Sequence, residues 1–252
     1  MRLFFDIGNT RLKWALDLQG SVVKSGSILY KQQSLAALDQ LSEVGQVVSV
    51  WASSVASNDV ESQIDVWVKE KFDLTVDWLS VGEKVCGVKN TYQPLTQLGV
   101  DRWAAVLGAK QYLLANDLSG SAAIIIDAGT AVTVDVLTND FVYQGGAIFP
   151  GLNMMHGALI GSTQGIDSSL VDDLVVPGKN TQQCVSGGVY YALFGAIERL
   201  VAEMQNRLGS SVVVLTGGDA LLIERYSSLK FIVLPNLVID GLRCVAESSE
   251  NS

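Results

Sequence analysis

The sequence predicts an α/β protein built from two related halves. Strand-like runs rich in Val, Ile and aromatic residues alternate with helix-period segments along the chain. The layout of LFFDIGNTRLKWAL at 3–16 returns half a chain later as IIIDAGTAVTVDVL at 124–137. Both read apolar strand, Asp, any residue, Gly, a small polar residue, second strand. Asp6 and Gly8 match Asp127 and Gly129 at the same offset. A polar, turn-rich break, NDLSGS at 116–121, falls between the repeats and marks a hinge, giving halves at 1–118 and 119–252.

The first half opens with strands at 2–7, 12–18 and 21–28, followed by strands at 46–52 and 74–79. Residues 34–43 read as a helix started by Ser34 as N-cap. Residues 59–72 place Val60, Ile64, Trp67 and Val68 on one helical stripe. A third helix covers 101–115, with Trp103, Leu107 and Leu114 on or near its apolar face. The second half begins with a buried strand at 122–127, then a turn and strand at 128–137, and another strand and turn at 141–151. Helices follow at 151–161 and 187–208. VVVLTGGDA at 212–220 is a strand meeting a glycine turn, FIVLP at 231–235 is a last strand, and AESSENS at 246–252 reads as a frayed tail.

Composition narrows the function. The chain has 252 residues, 48% hydrophobic, with net charge −9. No basic run supplies the footprint that nucleic-acid binding needs. No stretch approaches the roughly 20 apolar residues of a membrane span, and the N-terminus is too short in apolar residues for a signal peptide. Cys86, Cys184 and Cys244 are odd in number and far apart, so they read as reduced, core-filling thiols of a cytoplasmic protein. A single histidine, His156, makes a Ser-His-Asp triad or a multi-histidine zinc site a poor fit, and His156 itself reads as a helix-surface or core residue.

The glycine turns carry the chemistry. Gly8 and Gly129 let backbone approach a ligand closely, and successive N–H groups in such a turn form an anion site. Thr10 and Thr130 add hydroxyl donors, and Lys13 lies near the same phosphates if strand alternation points it there. Acids beside a phosphate site call for a cation between, so Asp6 and Asp127 suit Mg²⁺, directly or through water. Gly217 and Gly218 supply a third turn for packing on a nucleotide. Taken singly, each Asp-Gly pair is an ordinary strand ending; the repeat is what argues for a site.

DIGNTRLKWAL at 6–16, GVDRWAA at 99–105, DAGTAVTVD at 127–135, GGAIFPGL at 145–152 and TGGDA at 216–220 resemble, in order, the motifs of type III pantothenate kinases. These belong to the acetate and sugar kinase/Hsp70/actin superfamily. The resemblance implies two duplicated ribonuclease H-like (actin-like ATPase) halves with a cleft between them. It implies ATP-dependent phosphorylation of pantothenate, the first step toward coenzyme A, in a homodimer whose pantothenate pocket is completed across the subunit interface. Carried over by position, Asp6, Ile7, Gly8, Asn9, Thr10, Arg11, Leu12 and Lys13 form the first phosphate loop, and Thr130 contacts ATP. Asp127 binds a monovalent cation, K⁺ or NH₄⁺, with Asp6 on the Mg²⁺ side. Asp101 is the catalytic base, and Tyr92, Gly99, Val100, Arg102 and Thr181 line the pantothenate site. Arg102 suits the substrate carboxylate because Arg recognises carboxylates bidentately. Asp240 stands where the family usually has Glu. Two other readings compete: a kinase of the same superfamily acting on a sugar or acyl substrate, and a non-catalytic nucleotide-binding regulator. Fold alone separates neither from the first, because function lives in the site.

Overall fold

The computed structural model describes residues 1–250 apart from 44, 164, 167, 168, 172 and 173, with only the backbone of 42 and 43. It divides into two compact units, Met1–Gly120 with Asn139–Gln144 and Asn236–Ser252, and Ser121–Thr138 with Gly145–Pro235.

In the first unit, β1 (Arg2–Ile7), β2 (Leu12–Leu18) and β3 (Ser21–Ile28) form an antiparallel meander. β4 (Ser49–Ser54) and β5 (Val76–Trp78) add in parallel, giving the order β3-β2-β1-β4-β5. Strand alternation decides what each face carries. Leu3, Phe5 and Ile7 pair with Leu16, Trp14 and Leu12, and all six pack with Ile64, Trp67 and Val68 of α1 (Asn58–Phe72). The opposite face presents Arg2, Phe4 and Asp6, paired with Asp17, Ala15 and Lys13.

Between β3 and β4 the expected helix at 34–43 is a 3₁₀ segment, Leu35–Glu43. Leu35, Leu38 and Leu41 recur every third residue, which lines them up at three residues per turn, and Leu38 and Leu41 are fully buried. Ser34 does cap it, accepting from the Ala36 N–H at 3.2 Å. After β5 a hairpin of β6 (Lys84–Val85) and β7 (Val88–Asn90) appears where the sequence reading placed nothing. α2 (Val100–Ala115) then buries Trp103 and Leu107, as expected, but Leu113 rather than Leu114, which is exposed.

The second unit repeats the plan. β8 (Ala122–Ala128) and β9 (Ala131–Leu137) form a hairpin. β10 (Val142–Pro150) starts in the first unit, where Val142 and Tyr143 pair with Lys89 and Asn90 of β7. After α3 (Leu152–Ser162) comes α4 (Thr181–Leu208), six residues earlier than expected because the Asn180 side chain accepts from the Gln183 N–H at 2.9 Å and caps it there. β11 (Ser211–Thr216) lies parallel beside β8, followed by α5 (Ala220–Tyr226) and β12 (Ile232–Val233). Ile124, Ile126, Val132 and Val134 share a core with Leu193, Phe194, Ile197 and Val201 of α4.

The expected frayed tail is instead the end of α6 (Leu237–Glu250), and only 251 and 252 lie outside the described residues. Ile239, Leu242 and Ala246 of α6 cover Phe4 and Ala15. Ion pairs hold it down: Arg243 Nε lies 3.1 Å from buried Asp17, and Arg2 reaches both Asp17 and Glu247. α6 also crosses α2 on glycine. A Cβ on Gly241 would overlap the Ala104 carbonyl oxygen, and one on Gly108 the Leu237 carbonyl oxygen. The cysteines depart from the expected core role, since only Cys244 is buried; Cys86 is half-buried and Cys184 exposed.

Candidate active site

The first glycine turn is the tip of the β1–β2 hairpin. The Gly8 N–H closes it on the Arg11 carbonyl at 3.0 Å, and the Tyr30 hydroxyl donates to the Gly8 carbonyl at 2.8 Å. Ile7 and Leu12 are fully buried at its base, so their side chains anchor the turn and leave only backbone to meet a ligand. Asn9 and Thr10 are exposed at the tip. Arg11 is held sideways, donating to Ser27 Oγ at 2.8 Å. Strand register puts Lys13 directly across from Asp6, with Nζ 4.0 Å from Oδ2. Asp6 is 9% exposed. It therefore sits beside a cation at the base of the turn.

The second turn, Gly129–Thr130, is braced by the other two glycine motifs. The Gly151 N–H donates to the Thr130 carbonyl at 3.0 Å, and the Asp219 N–H donates to the Ala128 carbonyl at 3.0 Å. Gly151 and Gly217 lie so close that a Cβ on either would overlap the turn's backbone, and Gly217 also has φ +99°. Three motifs scattered over 90 residues of sequence thus meet at one end of β8. Asp127 is half-buried, Thr130 exposed, and strand register places Asp127 beside Thr216. Burial pushes the Asp219 carboxyl up from its ordinary value.

Around the start of α2 the first unit gathers most of the expected substrate residues. Gly99 is the residue before the helix, and Asp101 stands in its first turn. Asp101 Oδ1 accepts from the Arg102 N–H at 2.7 Å and leans over Gly99, where a Cβ would come within 2.6 Å of it. The helix dipole favours a carboxylate there. Arg102 is 7% exposed. Its guanidinium lies 5.6 Å from the Tyr92 ring centre and donates to the Tyr143 hydroxyl at 3.1 Å. Tyr92 and Tyr143 stack at 6.2 Å with nearly parallel rings. Thr181 is not part of this group. It begins α4 in the second unit, exposed, on the rim of an apolar groove of about 670 Å³ lined by Met155, Leu159, Val185 and Val189.

Two residues were missed. Tyr143 is fully buried and anchors both Arg102 and Tyr92, while Asn90 accepts from the Tyr92 N–H at 3.0 Å and fixes that segment's path. Their signal was weak: a tyrosine in an apolar strand and an asparagine beside a turn look like ordinary structure. Among the described residues no three His, Cys, Asp or Glu side chains gather as a metal cage.

A family profile described as type III pantothenate kinase matches residues 2–203. This chain belongs to the type III pantothenate kinase family. A type III pantothenate kinase of Alcanivorax borkumensis is 31% identical to it over 250 residues, covering 98% of each chain. Two solved structures share the kinase's fold. One, from Campylobacter jejuni, is described as a Baf family transcriptional activator, with TM-score 0.60, 19% identity, and coverage of 99% of this chain and 100% of that one. The other is described as a 2-dehydro-3-deoxygalactonokinase of Sinorhizobium meliloti, with TM-score 0.59, 12% identity and 99% coverage of both. The fold is the α/β actin-like ATPase and sugar-kinase fold that the family resemblance implies. Among the described residues of the kinase, no helix is long and apolar enough to cross a membrane.

Proposed function

We propose that Asp101 is the base with which this kinase phosphorylates pantothenate. The reaction is that of its family: ATP-dependent phosphorylation of pantothenate in coenzyme A biosynthesis. The observation that carries the assignment is the adjacency of Asp101 and Arg102 at the start of α2, with Arg102 laid on Tyr92. A carboxylate and a guanidinium one residue apart give one end of the substrate a proton acceptor and the other a carboxylate partner. Arg102 and Tyr92, with the Gly99–Val100 backbone, position pantothenate so that its primary hydroxyl reaches Asp101. Asp101 orients that hydroxyl and accepts its proton as the oxygen attacks the γ-phosphorus. Such a group contributes roughly 10²–10⁴-fold, and the remainder of phosphoryl transfer is positioning and charge neutralisation.

The turn from Asp6 to Lys13 cradles phosphate oxygens with its N–H groups, and Lys13 adds a positive charge. Mg²⁺ supplies neutralisation of the phosphates when bound, and Asp6 is the carboxylate placed to hold it, directly or through water. Thr130 reaches ATP from the second turn. Asp127, half-buried beneath the braced Gly129–Thr130 backbone, is the group for K⁺ or NH₄⁺. Thr181 and the apolar groove at its side support a homodimer in which a second copy completes the substrate pocket.

One assay tests the base and the cation together. ADP release from Mg-ATP is followed with and without pantothenate, in K⁺ and in Na⁺ buffer, for the native chain and Asp101→Asn. Pantothenate-dependent turnover that is faster in K⁺ and falls at least 100-fold in Asp101→Asn, with ATP still bound, is the expected result. Near-native turnover of Asp101→Asn removes Asp101 as base, and equal rates in K⁺ and Na⁺ remove the role given to Asp127.

A further inference from the structure

Cys86 and Cys244 are 158 positions apart in sequence, yet they come together within the first unit, where the Cys86 thiol reaches α6 one turn beyond Cys244. Cys86 occupies the tip of the β6–β7 hairpin. Val85 pairs with Val88, so Cys86 and Gly87 form a two-residue turn, with φ +47° and +74°. Positive φ at both positions is the type I′ pattern, which ordinarily takes Asn, Asp or Gly at its first position. A cysteine there adopts a backbone that side chains bearing a Cβ avoid. The turn carries its thiol onto α6, where Cys244 and Ser248 stand one helical turn apart. Cys86 Sγ lies 3.4 Å from Ser248 Oγ. Lys110 of α2 donates to the Cys86 carbonyl oxygen, and a Cβ on Gly87 would come within 2.9 Å of its Nζ. Cys244 is buried, with Gln111 also within hydrogen-bonding reach of its thiol.

We propose that Cys86 and Cys244 form a redox-active pair that a hydroperoxide converts into a disulfide joining the β6–β7 turn to α6. The surroundings divide the labour between the sulfurs. The Cys86 thiol is pushed down to about 6, chiefly by the hydrogen bond from Cys244, with Ser248 and the Lys110 charge helping and burial and Glu247 opposing. The same hydrogen bond and burial push Cys244 upward. Cys86 is thus the thiolate and half-exposed nucleophile, and Cys244 the buried resolving thiol. In the first step the Cys86 thiolate attacks one peroxide oxygen. The O–O bond breaks, an alkoxide or hydroxide leaves and takes up a proton, and Cys86 becomes a sulfenic acid. In the second step the Cys244 sulfur attacks the Cys86 sulfur as its own proton passes to the departing hydroxide, which leaves as water. The two thiols lose two electrons, and the hydroperoxide is reduced to an alcohol (or water) and water. In the disulfide the two sulfurs would stand about 2.05 Å apart. β7 ends at Asn90, which holds Tyr92, so the bond would tether the strand leading to the substrate residues.

Exposed Cys184 is an internal control, a thiol with no cysteine partner. The native chain is treated at pH 7 with one equivalent of hydrogen peroxide, quenched with a maleimide and digested, and its peptides are weighed. The expected product is a Cys86–Cys244 linked peptide lighter by two hydrogens and cleaved by dithiothreitol, with Cys184 labelled. In Cys244→Ser, dimedone should trap a sulfenic acid on Cys86. With iodoacetamide and no peroxide, native Cys86 should react about tenfold faster than Cys184 at pH 7. Linkage through Cys184, Cys86 and Cys244 both still labelled while Cys184 is oxidised, or Cys86 passing to sulfinic acid in the native chain would each overturn the proposal.

Discussion

Arg102 is a buried cation whose neighbours are aromatic as well as polar. A guanidinium stacks flat on a ring and still directs N–H groups sideways, which an ammonium cannot do. Arg102→Lys keeps the charge and loses the stack on Tyr92 and the geometry toward a carboxylate. The KM for pantothenate should rise tenfold or more while kcat changes less; an unchanged KM in steady-state kinetics would remove Arg102 from the substrate site. Asp219 makes the opposite case, a carboxyl whose burial raises its pKa above the ordinary 3.8. Between that value and the raised folded-state value, the folded chain binds the proton more readily than the unfolded one. Stability therefore falls as pH rises through this window, and the charged group is a burden at pH 7. Asp219→Asn should raise Tm at pH 7, with the gain shrinking toward pH 4 in thermal melts; an equal Tm difference at both would refute this account. At this scale the sequence was informative where a residue type has one task. Asp101 after Gly99 at a helix start, and Asp before Gly in a turn, could be read directly. Tyr143 could not, because its hydroxyl meets Arg102 only after β10 pairs with β7.

At the scale of elements, hairpins and long helices were legible because their periods differ, two against 3.6. The failures had specific causes. The Leu35–Leu38–Leu41 spacing fits a three-residue turn better than an α-helix, so Leu35–Glu43 became 3₁₀. The β6–β7 hairpin is only five strand residues long and too short for any periodicity. The tail was misjudged because AESSE is polar, while what holds α6 lies earlier, in Leu237 to Ala246 and in ion pairs to Arg2 and Asp17. The α2–α6 crossing depends on absent side chains: Gly108 and Gly241 allow backbone to meet backbone. Gly241→Ala should force the helices apart, cost about 1–3 kcal/mol of stability and lower Tm by several degrees. A melt like that of the native chain would show the crossing to be slack. Gly195, which has open space at its Cβ, is the matched control on α4.

At the scale of the whole molecule, the duplication was visible because each half repeats one acid and one glycine at the same offset. Contacts also draw Asn139–Gln144 and Asn236–Ser252, segments remote in sequence, into the first unit. The proposed homodimer belongs to this scale. Light scattering should give twice the 27.0 kDa chain mass. Replacing Leu159, on the groove beside Thr181, by Asp should yield monomers with weakened pantothenate turnover; a fully active monomer would dismiss the shared pocket. α6 has a further consequence, in the order of synthesis. The sheet that begins with residue 2 lacks its cover over Phe4 and Ala15 until Ile239, Leu242 and Ala246 exist. At roughly 5–20 residues per second, the ribosome delivers those side chains some 10–50 s after the strand they cover. The first strand made waits, one face bare, for nearly the last helix made. During that interval its apolar face is open to a chaperone.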